Sequence, residues 1–158
     1  MNMAAPLHEL SFTVSGRIGR PCAEVYEAVA DPDQLSRYFT TGGARGRLAA
    51  GEPVSWDFAD FPGRFPVTVI GTCPPHRIVI EWHGEAAAGT DATTRVIFEF
   101  ESLDQDTRTL VTITETSWQP TPDGARSAFD NCEGWTSMLN ALKAWLEHGI
   151  NLRDGCYR

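Results

Sequence analysis

Residues 133–149, "EGWTSMLNALKAWLEHG", constrain this chain more than any other stretch. Trp135, Met138, Leu139, Leu142, Trp145 and Leu146 recur at intervals of three and four, which on a helix makes one broad apolar stripe. Asn140, Lys143 and Glu147 fall on the other side. A helix that turns two tryptophans and a methionine inward needs an equally large apolar surface to cover them, so the question is what the rest of the chain supplies.

It supplies strands. Leu10, Phe12, Val14 and Ile18 alternate with Glu9, Ser11, Thr13, Ser15 and Arg17, the period of a strand with one wet face. Val54, Trp56 and Phe58 follow the same parity, as do Phe65, Val67 and Val69, then Ile78, Ile80 and Trp82, then Val96, Phe98 and Phe100, and finally Val111 and Ile113. The "FPGR" stretch reads as a Pro-Gly turn, Pro74 and Pro75 close a strand after Cys73, and "LDQDTR" turns the chain into its last strand. "TTGGARGRLAAG" reads as a loop around a brief strand, and "GEAAAGTDAT" as a flexible connection. Near the front, Pro21 suits a first helical position ahead of Val25, Tyr26 and Val29. In "DPDQL", Asp31 can cap a second short helix that runs to about Tyr38, with Pro32 at its first position and Gln34 placed for a capping box. The long helix is expected to start near Thr121 or Asp123 and to stop at Gly149.

The order is therefore strand, two short helices, about six or seven strands in all, then a long helix, which means α+β: a curved antiparallel sheet wrapped around a C-terminal helix. The 158 residues are expected to form a single domain with its core at about 9–150, long enough to bury roughly 70% of the unfolded surface without a disulfide or metal. The inward rings of such a sheet are too large to interdigitate everywhere against one helix, so a cavity and a filled core are both open outcomes.

Composition excludes several functions. The net charge of −8 and a single lysine among thirteen basic residues leave no basic patch for nucleic acid or an anionic membrane. That lysine-poor, arginine-rich usage is what a GC-rich bacterial genome encodes. Cys22, Cys73, Cys132 and Cys156 are scattered without a CxxC pair and read as reduced thiols. "MNMAAPLHEL" lacks the basic and apolar regions of a signal peptide, and no apolar run reaches the twenty or so residues of a membrane span, so a cytoplasmic location is expected.

"RIGRPCAEVYEAVADPDQLSRYF" and "NCEGWTSMLNALKAWLEHG" resemble the SRPBCC (START-like, helix-grip) superfamily, and within it the group related to the C-terminal domain of the activator of heat-shock protein 90 ATPase. Pro21, Val25, Tyr26, Ala28, Asp31, Pro32 and Leu35 carry the resemblance at the front. Gly134, Trp135, Met138, Leu139, Leu142 and Leu146 carry it at the back. It implies the helix-grip fold and, across the superfamily, binding of hydrophobic molecules and occasional cyclase chemistry. One departure is Tyr38, followed by Phe39, where the family often has tryptophan. Its hydroxyl would stand beside the expected cavity, unless this is an ordinary aromatic substitution.

No catalytic constellation is evident. His8, His76, His83 and His148 have neither HxxxH nor HxH spacing, "TGGARGRLAAG" lacks the lysine and following helix of a phosphate cradle, and no serine sits in a nucleophile elbow, so neither metal nor cofactor is expected. Parity continued from Val111 and Ile113 carries Glu115 and Ser117 inward, where the carboxylate could serve as a general base or bind a ligand hydroxyl, or instead pair with an arginine. Trp118, Asn131 and Cys132 fall near the expected rim. The ligand-binding candidates are thus Tyr38, Trp56, Phe58, Trp82, Phe98, Glu115, Ser117, Trp135 and Met138, with Glu115 the sole, weak catalytic candidate.

Three functions follow. The first is a module that binds an unidentified hydrophobic or aromatic small molecule. The second is a cyclase- or hydrolase-like enzyme using Glu115 or Tyr38. The third, which the resemblance alone implies, is a co-chaperone-like modulator of a heat-shock protein 90 homologue, although no counterpart of the activator's separate N-terminal domain is seen. An edge strand offers a route to a homodimer.

Overall fold

A computed structural model describes residues 7–84, 86–89 and 92–156, apart from the side chain at position 62. The N-terminal residues 1–6, on which the signal-peptide reading rests, lie outside it, as does part of the connection at 84–93. Seven strands form one antiparallel sheet: β1 (Phe12–Ile18), β2 (Gly43–Arg45), β3 (Val54–Phe58), β4 (Phe61–Cys73), β5 (Arg77–His83), β6 (Thr93–Leu103) and β7 (Arg108–Thr116). They lie in the order β1-β7-β6-β5-β4-β3-β2, so the first strand closes onto the last and the meander runs outward from there. Helices α1 (Cys22–Ala30) and α2 (Pro32–Tyr38) follow β1, and α3 (Pro122–His148) ends the fold. This is the helix-grip α+β architecture.

The residues account for these elements. Along β7, Leu110, Thr112 and Thr114 are half-exposed while Val111, Ile113 and Glu115 are buried, the alternation of a sheet with one wet face. Register shifts between Trp56 and Phe58 and between Val69 and Gly71 bend β3 and β4, which curls the sheet around α3. Thr121 caps α3 by accepting from the Gly124 N–H at 3.1 Å, and Pro122 takes the first position, where its missing N–H costs nothing. At the other end Gly149 adopts φ 67°, and its N–H and that of Ile150 return to Trp145 and Ala144, closing the last turn. Trp135, Met138, Leu139 and Leu142 are buried against the sheet, while Trp145 and Leu146 are half-covered, with the Arg37 guanidinium 5.7 Å from the Trp145 ring centre.

Three sequence expectations change. "FPGR" is not a turn: the chain reverses at Ala59 and Asp60, and Phe61 already begins β4, with Gly63 accommodated at φ 133°. Pro21 caps α1 from just outside the helix, since its extended backbone (ψ 151°) precedes the first turn. The described part of the 84–93 connection is tied down rather than flexible, because Ala87 bridges Trp118 and the Ala88 N–H reaches the Ser117 carbonyl at 2.6 Å.

Candidate functional site

Three strands and a helix meet at Glu115. On β7 it follows Val111 and Ile113 inward and is 0% exposed. Its register partner on β6 is Val96, two residues from Thr94, and Thr94 in turn pairs with Trp82 on β5. Asn131 and Trp135 stand one turn apart on the overlying α3. These placements aim four donors at one carboxylate. Trp82 Nε1 and Thr94 Oγ1 donate to Oε2 at 2.8 and 2.6 Å, and Trp135 Nε1 and Asn131 Nδ2 donate to Oε1 at 2.8 and 3.1 Å. Among the described residues no arginine pairs with it, and the four donors occupy both of its oxygens.

Beside this node lies a cavity of about 590 Å³, within the usual range for small-molecule sites. Phe58, Trp82 and Trp135, together with Phe39 from the end of α2, give it aromatic walls. The rings support one another: Phe39 stacks on Trp135 at 5.4 Å, and Trp82 tilts onto Trp135 at 5.3 Å. Phe61 stands at the mouth, 75% exposed. Gly134 faces the same space, and a methyl group added there would meet nothing within 4 Å. Asn131, Asp60, Asp130, Glu133 and Arg153 supply the polar part of the lining.

The nine candidates separate into groups. Phe58, Trp82 and Trp135 line the cavity. Glu115 does not, but three of its four donors do, so it orients the wall from behind. Trp56 and Phe98 lie in the core, edge-on to Trp82 and Trp135 respectively, and Met138 is buried one turn beyond Trp135. Tyr38 borders a second, smaller cavity of about 260 Å³, and its buried hydroxyl donates to the Ala28 carbonyl at 2.8 Å. Burial pushes that phenol well above the ordinary tyrosine range. Ser117 falls outside the strand: β7 stops at Thr116 and Ser117 takes φ 70°, so parity no longer governs its direction. Trp118 stacks on Phe12, and Cys132 is half-buried without lining the cavity. Among the described residues no group of three or more metal-ligating side chains converges.

Sequence reasoning missed Arg153 and Asp60. Arg153 lies beyond the helix stop, yet it is 8% exposed, with its guanidinium 5.6 Å from the Phe39 ring centre and 5.8 Å from that of Phe58. Asp60 Oδ1 is 3.9 Å away. Arg153, Phe39 and Asp60 line both cavities and form the partition between them. No periodicity marks a residue that reaches the site from a tail.

Residues 20–147 match the family model described as "Activator of Hsp90 ATPase homolog 1-like protein". Among curated protein sequences none matches the chain significantly. Solved structures share the fold. The Staphylococcus saprophyticus protein SSP2350 superposes with a TM-score of 0.74 at 20% identity, over 91% of this chain and 96% of that one. DynU16, a protein of the dynemicin biosynthetic locus, gives 0.71 at 23% identity, over 89% of this chain and 48% of that one. The Aha1 of Colwellia psychrerythraea, described as a dimer, gives 0.70 at 20% identity, over 89% and 98%. Among the described residues no helix is long and apolar enough to cross a membrane.

Proposed function

Because the chain belongs to the activator of Hsp90 ATPase homolog 1-like family, whose model spans residues 20–147, we propose that it is a small-molecule binding protein that holds an aromatic or hydrophobic ligand between the sheet and α3. The observation that carries this reading is the cavity of about 590 Å³ walled by Phe39, Phe58, Trp82 and Trp135. A ligand that loses on the order of 300 Å² of apolar surface there gains roughly 7 kcal/mol, from which association subtracts several. The Glu115 node favours the same reading, since it fixes both indoles before any ligand arrives and so removes part of the ordering cost.

The same geometry disfavours Glu115 as a catalytic base. Both oxygens already accept hydrogen bonds, and the side chain is screened from the cavity by its own donors. A co-chaperone role rests on the family's name and is separated by measuring the ATPase of a purified heat-shock protein 90 homologue with and without this protein.

The direct test is native mass spectrometry of the protein as purified, followed by fragmentation of any retained mass. A retained small molecule that disappears in a folded Gly134→Leu protein, whose new side chain would enter the cavity, supports the reading. Retention unchanged by Gly134→Leu places the molecule elsewhere and overturns it. The same spectrum reads whether the chain is a homodimer.

A further inference from the structure

Resting on the small-molecule reading above, we infer that the cavity is built for an organic cation with a flat apolar body, and that Arg153 holds the seat of its charged head when no ligand is present. Three observations converge. The Arg153 guanidinium lies against two aromatic rings, Phe39 and Phe58, at 5.6 and 5.8 Å, the arrangement by which ring faces hold cations. Asp60, in the same partition, has a buried oxygen that accepts no hydrogen bond among the described residues and stands 3.9 Å from the guanidinium. The remaining charged residues of the lining, Asp130 and Glu133, are both acidic.

Electrostatics then orders the ligand classes. Three carboxylates face one guanidinium in the lining, inside a chain of net charge −8, so an anion meets repulsion both at the mouth and from the whole molecule. A neutral aromatic gains only the burial of its rings. A cation gains the same burial plus the ring faces and the half-buried Asp60, while the exposed Asp130 and Glu133 add a weaker, salt-screened attraction. Arg153 shows that a planar cation fits between these groups, and it belongs to a segment that can yield. Among the described residues, the backbone hydrogen bonds from Asp154 to Asn151 and from Cys156 to Arg153 run within the segment itself.

The test uses three probes with one aromatic body: naphthylmethylammonium, naphthylmethanol and naphthylacetate, titrated calorimetrically into the full chain at low salt. The ammonium is expected to bind about tenfold more tightly than the alcohol, and the acetate most weakly, with the preference shrinking as salt rises. Arg153→Gln, checked for native near-UV circular dichroism, is expected to tighten the ammonium several-fold by removing its competitor. If Arg153→Gln does not fold, Arg153→Lys, a weaker stacker on rings, replaces it and should shift affinity in the same direction. Equal binding of alcohol and ammonium, or tighter binding of the acetate, overturns the cation inference while leaving the pocket intact. Ammonium binding weakened by a folded Arg153 variant overturns the assignment of Arg153 as competitor. If none of the three binds, the small-molecule reading falls and the inference with it.

Discussion

Trp135 donates its indole N–H to Glu115 Oε1 at 2.8 Å, joining the middle of α3 to the last strand at a point water does not reach. Trp82 does the same from β5 to the other oxygen. Two of the four rings that wall the cavity are therefore held by one buried acid.

Replacing that acid with its amide is expected to be costly. Glutamine presents a donor where one oxygen accepted, so one of the two donor-only indole N–H groups, Trp82 or Trp135, faces it without an acceptor. Glu115→Gln should lose roughly 2–4 kcal/mol, read as a lower urea midpoint, and should flatten the near-UV tryptophan signal as the indoles loosen. A loss under about 1 kcal/mol would mean that the node is dispensable for stability.

Trp82 and Trp135 both line the cavity but differ in depth, so their alanine variants should part company. Trp135 is buried between Phe39, Trp82 and Phe98, and Trp135→Ala is expected to cost about 3–5 kcal/mol. Trp82 is half-exposed, and Trp82→Ala should cost less, about 1–3 kcal/mol, while still removing the cavity wall. Measured by urea midpoint and by retained ligand mass, Trp82→Ala should be folded and ligand-free. Equal destabilisation by the two would make both simple core residues.

Gly134 is expected to trade stability for space. It lies inside α3, where glycine is a poor helix former, and an added methyl meets nothing within 4 Å. Gly134→Ala should therefore raise stability by about 0.5–1 kcal/mol, visible as a higher Tm. A lower Tm would mean that the helix needs glycine there for a reason other than the open cavity.

Much of this was legible in the sequence. Strand parity placed Glu115 inward, three-four spacing placed Trp135 under the sheet, and the caps at Thr121 and Gly149 bounded α3. Parity failed where the strand ended: Ser117 turns to positive φ one residue past Thr116, and a period of two says nothing about its own limits. The hydroxyl of Tyr38 was invisible in another way, since its partner is the carbonyl of Ala28, a backbone group that no side-chain pattern reports. Asp60 and Arg153 meet across more than ninety positions of chain, by folding alone.

That Tyr38 hydroxyl yields a pH prediction with a definite sign. Burial raises its folded-state pKa, so the folded protein keeps the proton after the unfolded chain has begun to lose it at about pH 10. The stabilisation is complete below that value and declines above it, by up to about 1.4 kcal/mol per pH unit for one proton. Tyr26 and Cys22, also raised chiefly by burial, lose stability in the same direction, so the comparison must be made between variants. At pH 8, Tyr38→Phe should be about 1 kcal/mol less stable than the parent, because the Ala28 carbonyl loses its donor. Phenylalanine has no proton to lose, so by pH 11 the gap should close or reverse. Urea midpoints of the two proteins at both pH values decide it: a gap that stays constant would show that the phenol titrates alike in both states.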